Sequence, residues 1–362
     1  MPITISIPDA LRQAVEAASG GRNTVLYDAK GYPSIMVVIP KFNLQDIDES
    51  LGTGVHPAFI VNGVEKSEIF IGKFQAKVHD GVALSLPGQD PTVNVNFDQA
   101  LNYCKAKGQG WHLMTRAEWA AIALWCWKNG FQPRGNTNYG RSSDQPYETG
   151  RRVDGGTPGS TSGTPRTLTG SGPASWYHDN TPFGIADMCG NVWEWNAGMR
   201  LNNGEIQILP NNDAADNTKD QSSTSTLWRA ILQDGSLVAP GTPGSLKYDS
   251  TGTPGDGSTS AQLDDTIDYQ TDVSTYTFNT FQALTADTGI TVPALLKALC
   301  LFPITSSGLG NDRMLVRNND ERLCRAGGYW DNGSSAGLFA LHLNAPRSDS
   351  HSNIGFRPAY VG

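Results

Sequence analysis

The chain has 362 residues, with 27 Lys and Arg against 35 Asp and Glu, a net charge of −8, and only 17% charged residues beside 40 Gly and 21 Pro. That length can bury a full core as one large domain or two to three smaller ones, without metal or disulfide staples. The acidic balance with no basic stripe argues against a nucleic-acid surface, and no run reaches the roughly 20 apolar residues of a membrane span.

Gly, Ser, Thr, Asn and Pro are abundant, which favours long ordered loops on a scaffold over a helix bundle. The cysteines, Cys104, Cys126, Cys189, Cys300 and Cys324, are odd in number and widely spaced. None forms a CxxC pair, so no zinc or redox motif is suggested; buried thiols are expected, and one long-range disulfide stays open. The opening Met1-Pro-Ile-Thr-Ile-Ser-Ile-Pro8 lacks a basic n-region and a continuous apolar run. A chain made in the cytoplasm without a signal peptide is expected, reaching any outside surface through a partner.

Asp9 is placed to cap a short helix whose Leu11, Ala14, Val15 and Ala18 share a face, ended by Gly20-Gly21. Residues 34–40 and 68–74 read as buried strands. A helix is predicted from Asn96, with Phe97, Ala100, Leu101 and Cys104 at helical spacing. A second follows the capping box Thr115-Arg-Ala-Glu118, its stripe being Trp119, Ile122, Ala123 and Cys126 and its stop Asn129-Gly130. Residues 130–175 read as loop. The words Gly156-Thr-Pro-Gly-Ser160, Gly241-Thr-Pro-Gly-Ser245 and Gly252-Thr-Pro-Gly255 are turn formers with no fixed period, hence not a solenoid. Residues 201–290 look like a polar insertion, with one strand or hairpin at 269–281. Residues 291–299 read as a short helix with Pro293 in its first turn. Residues 1–60 read as a separate N-terminal segment ahead of a domain over 61–362.

Phe183-Gly-Ile-Ala-Asp-Met-Cys-Gly-Asn-Val-Trp-Glu-Trp195 is the most specific string. Its glycines suit tight turns, and Val192, Trp193 and Trp195 suit a core strand. Asn191 and Glu194 are polar in an apolar setting, so hydrogen bonds to nearby backbone are expected of them. A catalytic Glu194 is disfavoured, because no second carboxylate or base lies within the motif.

Over 326–357 two kinds of position interleave. Gly327, Gly328, Trp330, Gly333, Ala340, Leu341, Leu343, Ile354, Gly355 and Phe356 are apolar or glycine; between them stand small polar or aromatic residues. A rigid frame carrying Tyr, Ser, Asn and His suits a binding surface, although an ordinary strand-and-loop terminus would read alike.

Leu113-Met-Thr-Arg-Ala-Glu-Trp119, the 183–195 string, Ile69-Phe-Ile-Gly-Lys-Phe74 and Gly355-Phe-Arg357 resemble the formylglycine-generating-enzyme type of C-type lectin fold. The resemblance covers about residues 65–200 and 310–362. It implies an α+β, loop-rich fold, two helices flanking small antiparallel sheets. Oxidases of that family carry a reactive cysteine pair after the segment resembling Arg325-Ala-Gly-Gly-Tyr-Trp330, and no cysteine follows Cys324 here. The related sulfoxide synthases use a histidine-rich metal domain, whereas His56, His79, His112, His178, His342 and His351 are scattered. The expectation is no enzyme, no catalytic residue, no metal site and no cofactor.

Gly327-Gly-Tyr-Trp-Asp-Asn-Gly333, Phe339-Ala-Leu341 and residues 347–357 resemble the variable region of diversity-generating retroelement proteins. There an error-prone reverse transcriptase acts at adenines, and adenine-rich Asn codons become many residue types. The resemblance implies a hypervariable ligand- or receptor-binding protein, displayed on a phage tail or cell surface, taking a protein or glycan receptor; an oligomer stays open. It implies contacts at Tyr329, Asp331, Asn332, Ser334, Ser335, Leu338, His342, Asn344, Asp349, His351 and Ser352, and fold-holding roles for Trp193, Trp195, Trp330, Phe356 and Arg357. A fixed-specificity lectin-like adhesin is the alternative, with a formylglycine-generating-type oxidase a more distant one, and a structural calcium stays open. The adhesin's calcium form would use Trp330-Asp-Asn332 as oxygen donors, but no Glu-Pro-Asn companion is present.

Overall fold

The computed structural model describes residues 9–255 and 257–362. Two mixed assemblies carry the chain, and both use strands distant in sequence. One is a five-stranded antiparallel sheet in the order Asn23–Tyr27, Pro33–Pro40, Glu68–Gly72, Pro358–Tyr360, Trp111–Leu113. The N- and C-terminal stretches therefore share one sheet, with Met36 opposite Gly72 and Ala359 opposite Ile71. Residues 33–40, read from sequence within an N-terminal segment ending near 60, thus pair directly with Glu68–Gly72. The apolar run Ile35, Met36, Val37, Val38, Ile39 cannot stay solvated as a separate segment, and it buries Met36 and Val37 against the domain.

The second sheet is twelve-stranded. Its central path runs Thr277–Thr280, Arg313–Val316, Leu341–Ala345, Glu321–Ala326, Trp193–Asn202, Glu205–Ile208, Lys247–Ser250 and Ala261–Asp264. The expected polar insertion at 201–290 thus supplies several strands of this sheet, joined by long loops. Leu201 belongs to the long Trp193–Asn202 strand, and a hairpin turns back through Asn203 (φ 47°) and Gly204 (φ 79°), pairing Asn202 with Glu205. Both turn residues are left-handed, as a two-residue type I′ hairpin requires. Ile206, Ile208, Ile231, Leu246, Tyr248 and Leu263 bury into the common core.

The four sequence-read helices form. Phe97–Lys105 carries a reciprocal Asn96–Gln99 cap and buries Phe97, Ala100 and Cys104. Arg116–Lys128 begins at the Thr115–Glu118 capping box; Thr115 Oγ1 accepts from Glu118 N and Glu118 Oε2 from Thr115 N. It is buried on nearly every side rather than along one stripe, because it lies between layers; Arg116 donates to the carbonyls of Leu299 and Cys300 on the far wall. Ala10–Ser19 is capped by Asp9 and closed by Gly20. Its apolar face stays largely in solvent, with Leu11 43% exposed, because polar contacts hold it on the sheet rim: Thr24 Oγ1 donates to Glu16 and Tyr27 to Asp9. The short helix near 291–299 is Ala294–Ala298, with Pro293 at its N-cap position.

The long loop of residues 130–175 has no regular strand or helix beyond the short 3-10 turn Ala174–Trp176. Asn136 and Asn191 fix it from within. Asn136 donates to Pro165 O and Asn191 Oδ1 and accepts from Gly140 N, while Asn191 Oδ1 also accepts from Thr167 N. Gly159 (φ +92°), the second glycine of the first Gly-Thr-Pro-Gly word, lies so close to Arg141 that a Cβ would meet its guanidinium at 2.7 Å.

Candidate functional site

A buried polar network lies beneath the candidate face. Arg357 is fully buried and grips Glu194 with two hydrogen bonds, Nε to Oε2 at 2.9 Å and Nη2 to Oε1 at 2.7 Å. It also donates to Gly72 O and Ala186 O, tying both sheets to the 183–195 motif. Gln75 bridges the remaining partners, donating to Glu194 Oε1 and accepting from Asn191. Asn191 bonds backbone as the sequence suggests; Glu194 instead pairs with a guanidinium, because a buried carboxylate needs a countercharge more than one more amide.

From this base the chain enters residues 326–357 through two glycines. A Cβ on Gly327 (φ +93°) would meet Met188 O at 2.8 Å, and one on Gly328 (φ +87°) would meet Ala336 at 2.4 Å. Only glycine folds here without displacing its neighbours. The loop is then pinned by its backbone. Trp119 Nε1 donates to Leu338 O at 2.7 Å, Tyr139 N to Trp330 O and Gly333 N to Thr137 O. Asp312 Oδ2 accepts from Phe339 N at 2.7 Å. Burial pushes the Asp312 carboxyl up to about 7, against the lowering pull of its two backbone donors.

Side chains then sort by strand alternation. Along Leu341–Ala345, Leu341, Leu343 and Ala345 are buried while His342 and Asn344 are half-buried and face outward. In the flanking loops Asp331, Ser334, His351 and Ser352 are exposed, and Tyr329 and Ser335 are half-buried. Two of the residues expected as contacts point inward. Leu338 packs in the core, and Asn332 is buried with its Oδ1 accepting from Tyr329 N at 3.1 Å. Those two side chains lie behind the outward-facing ones. Asp349 is half-buried, salt-bridges Arg325 at 3.0 Å and lies 2.9 Å from His351 Nε2. Trp193, Trp195, Trp330 and Phe356 are buried; Trp195 donates to Val95 O, and Trp193 meets the His342 ring edge-on at 5.1 Å.

Burial and the cations Arg325, Arg313 and Arg317 hold His342 well below its ordinary pKa, so it is neutral at physiological pH. A hydrogen bond to Asp331 raises Tyr139 to about 12. Beside the loop opens a cavity of about 600 Å³. Gly333, Ser334 and Leu338 form one wall, and Phe131, Arg134 and Asp144, outside the variable segment, form another. Sequence reading missed Asp312, Arg313 and Arg317. The alternation Arg313-Met-Leu-Val-Arg317 was the available signal, with Met314 and Val316 buried and the arginines half-exposed.

All five cysteines are buried free thiols, and burial pushes the Cys324 thiol up to about 11. Among the described residues no three His, Cys, Asp or Glu side chains converge to hold a metal ion. No helix among them is long and apolar enough to cross a membrane.

Solved structures similar to this chain include Treponema denticola variable protein 1, at 14% identity and a TM-score of 0.33, covering 93% of this chain and 98% of that one. A Major Tropism Determinant, the U1 variant, is similar at 12% identity and a TM-score of 0.30, covering 93% and 71%. No curated protein matches the chain. Residues 24–219 match the sulfatase-modifying factor enzyme 1-like domain, and with more than half of its length so matched the chain belongs to that family.

Proposed function

We propose that this chain is a ligand-binding member of its family, and that residues 326–357 form a hypervariable receptor-binding face diversified by a retroelement. The observation that carries the reading is the sorting of that segment. Frame side chains are buried and pinned through their backbones, whereas Tyr329, Asp331, Ser334, His342, Asn344, His351 and Ser352 reach solvent from a fixed scaffold. Such positions can change identity without changing the fold, which is what a varied paratope requires. The receptor is a protein or glycan on a target surface, and the chain is displayed on a phage tail or cell surface.

Binding rather than oxidation is supported by the thiols. Cys324 precedes Gly327-Gly328, is fully buried and is held protonated, so it supplies no thiolate to this face. Calcium dependence is disfavoured by Asn332, whose amide oxygen is turned inward to Tyr329 N and so cannot complete an outward oxygen set. Sequencing the codons for residues 326–357 across a growing population, with the adjoining locus, tests the reading. Substitutions at the outward positions beside a near-copy template are expected. An invariant segment with no template nearby would sink the diversification claim and leave a fixed-specificity adhesin.

A further inference from the structure

We propose that Arg313 and Arg317, which lie outside residues 326–357, extend the binding face with a subsite for the acidic groups of a glycan. The inference rests on the reading of that face as a binding surface and adds the chemistry that stays constant while the rest varies.

Strand register sets the geometry. Arg313–Val316 runs parallel to Leu341–Ala345 with Leu315 beside His342, and antiparallel to Thr277–Thr280 with Leu315 opposite Phe278. Arg325 stands opposite His342 on the next strand. One row across the sheet therefore reads Phe278, Leu315, His342, Arg325. Arg313 and Arg317 lie on the same face, two residues either side of Leu315, about 13 Å apart at 3.3 Å per residue.

Charge makes this patch unlike the rest of a chain with net charge −8. Among the described residues, neither Arg313 nor Arg317 has a carboxylate within salt-bridge distance. Among these described residues each donates only its Nε–H, Arg313 to Ser335 Oγ at 2.9 Å and Arg317 to Thr275 O at 2.9 Å. Two neighbouring acids are engaged elsewhere, Asp349 by Arg325 and His351 and Glu321 by Arg200 and Arg347, while Asp331, hydrogen-bonded to Tyr139, acts on Arg313 only at longer range than a salt bridge. His342, kept neutral between the arginines, adds a hydrogen-bonding group without competing charge. Phe278, 39% exposed and 5.8 Å from the Arg313 guanidinium, offers a flat apolar face at the rim.

A guanidinium with free Nη donors binds carboxylate and sulfate oxygens in pairs, and an aromatic face suits the C–H side of a sugar ring. A peptide that added as a strand would need an open sheet edge. The outer side of Thr277–Thr280 is met by Gly255 and Thr259, through Tyr276 N to Gly255 O and Phe278 N to Thr259 O. An acidic glycan, recognised by side chains alone, fits this face better.

The test passes the full chain over immobilised dextran sulfate, polygalacturonate, polyglutamate and neutral dextran. Retention on dextran sulfate or polygalacturonate is expected, the preferred polymer telling sulfate from carboxylate. Arg313→Gln and Arg317→Gln should each weaken it about tenfold, Arg313→Lys should recover part of the loss, and thermal midpoints should hold. Lys41→Gln, on a distant strand end, should change nothing. Failure to bind either acidic polysaccharide, equal binding to polyglutamate, unchanged binding by the Arg variants, or an equal loss in Lys41→Gln would overturn the proposal. Tyr329→Ala and His351→Ala separate the two claims. If they abolish retention while the Arg variants do not, the subsite fails and the variable-face reading stands; the reverse pattern sinks that reading and leaves the subsite.

Discussion

Arg357 and His351 belong to the same short stretch of chain, yet their side chains live in different physical regimes. Arg357 is enclosed, with Glu194, Gly72 O and Ala186 O taking its donors. The His351 side chain projects into water, 70% exposed, with its Nε2 2.9 Å from Asp349 Oδ1. The difference teaches how one segment can be both rigid and free. The fold is held by backbone pins and a buried network, so the outward side chains carry almost none of the stability.

The hardest break of that contrast is Arg357→Ala. It leaves the Glu194 carboxylate buried without its cation, and loss of one partner of such a pair costs about 3–5 kcal/mol. Denaturant unfolding should show a collapse of the midpoint or failure to fold. Next comes Gly327→Ala, which places a Cβ 2.8 Å from Met188 O in a left-handed conformation; a loss of about 1–3 kcal/mol is expected in the same assay.

A pH effect should follow. Burial raises Asp312 to about 7 and Asp187 to about 6, both above their unfolded carboxyl values. The folded state therefore holds more protons. The stability these groups contribute is full below about pH 4 and is lost as pH rises through about 6 to 7. Asp312→Asn should flatten the decline in thermal midpoint across that window; an unchanged slope would assign it to other groups. The smallest effects belong to the face: Asp331→Ala, Ser334→Ala, His351→Ala and Ser352→Ala should each shift stability by no more than about 0.5 kcal/mol. A larger loss at any of them would move that residue from face to frame.

What the sequence disclosed was local. The capping box at Thr115–Glu118 spans three residues and the Phe97, Ala100, Leu101, Cys104 stripe seven, so both helices were legible. The polar residues of the 183–195 motif announced a buried network. Their partners did not, because Gln75 and Arg357 lie 116 and 163 residues from Asn191 and Glu194. The Asn203-Gly204 hairpin turn was a local signal that went unread, and with it the strand character of residues 201–208. The burial of Leu338 and Asn332 was not legible, because an apolar or polar letter does not reveal which way a pinned loop turns. The exposed stripe of Ala10–Ser19 fails for the same reason in reverse: periodicity gives a face, not the neighbour that would cover it.

The most direct test of the central claim is a display library randomised together at Tyr329, Asp331, Ser334, His342, Asn344, His351 and Ser352. The account predicts that most members stay folded and protease-resistant, and that selection against unrelated surface receptors and glycans yields distinct binders. A library that is mostly unfolded, or folded yet barren of binders, would contradict it.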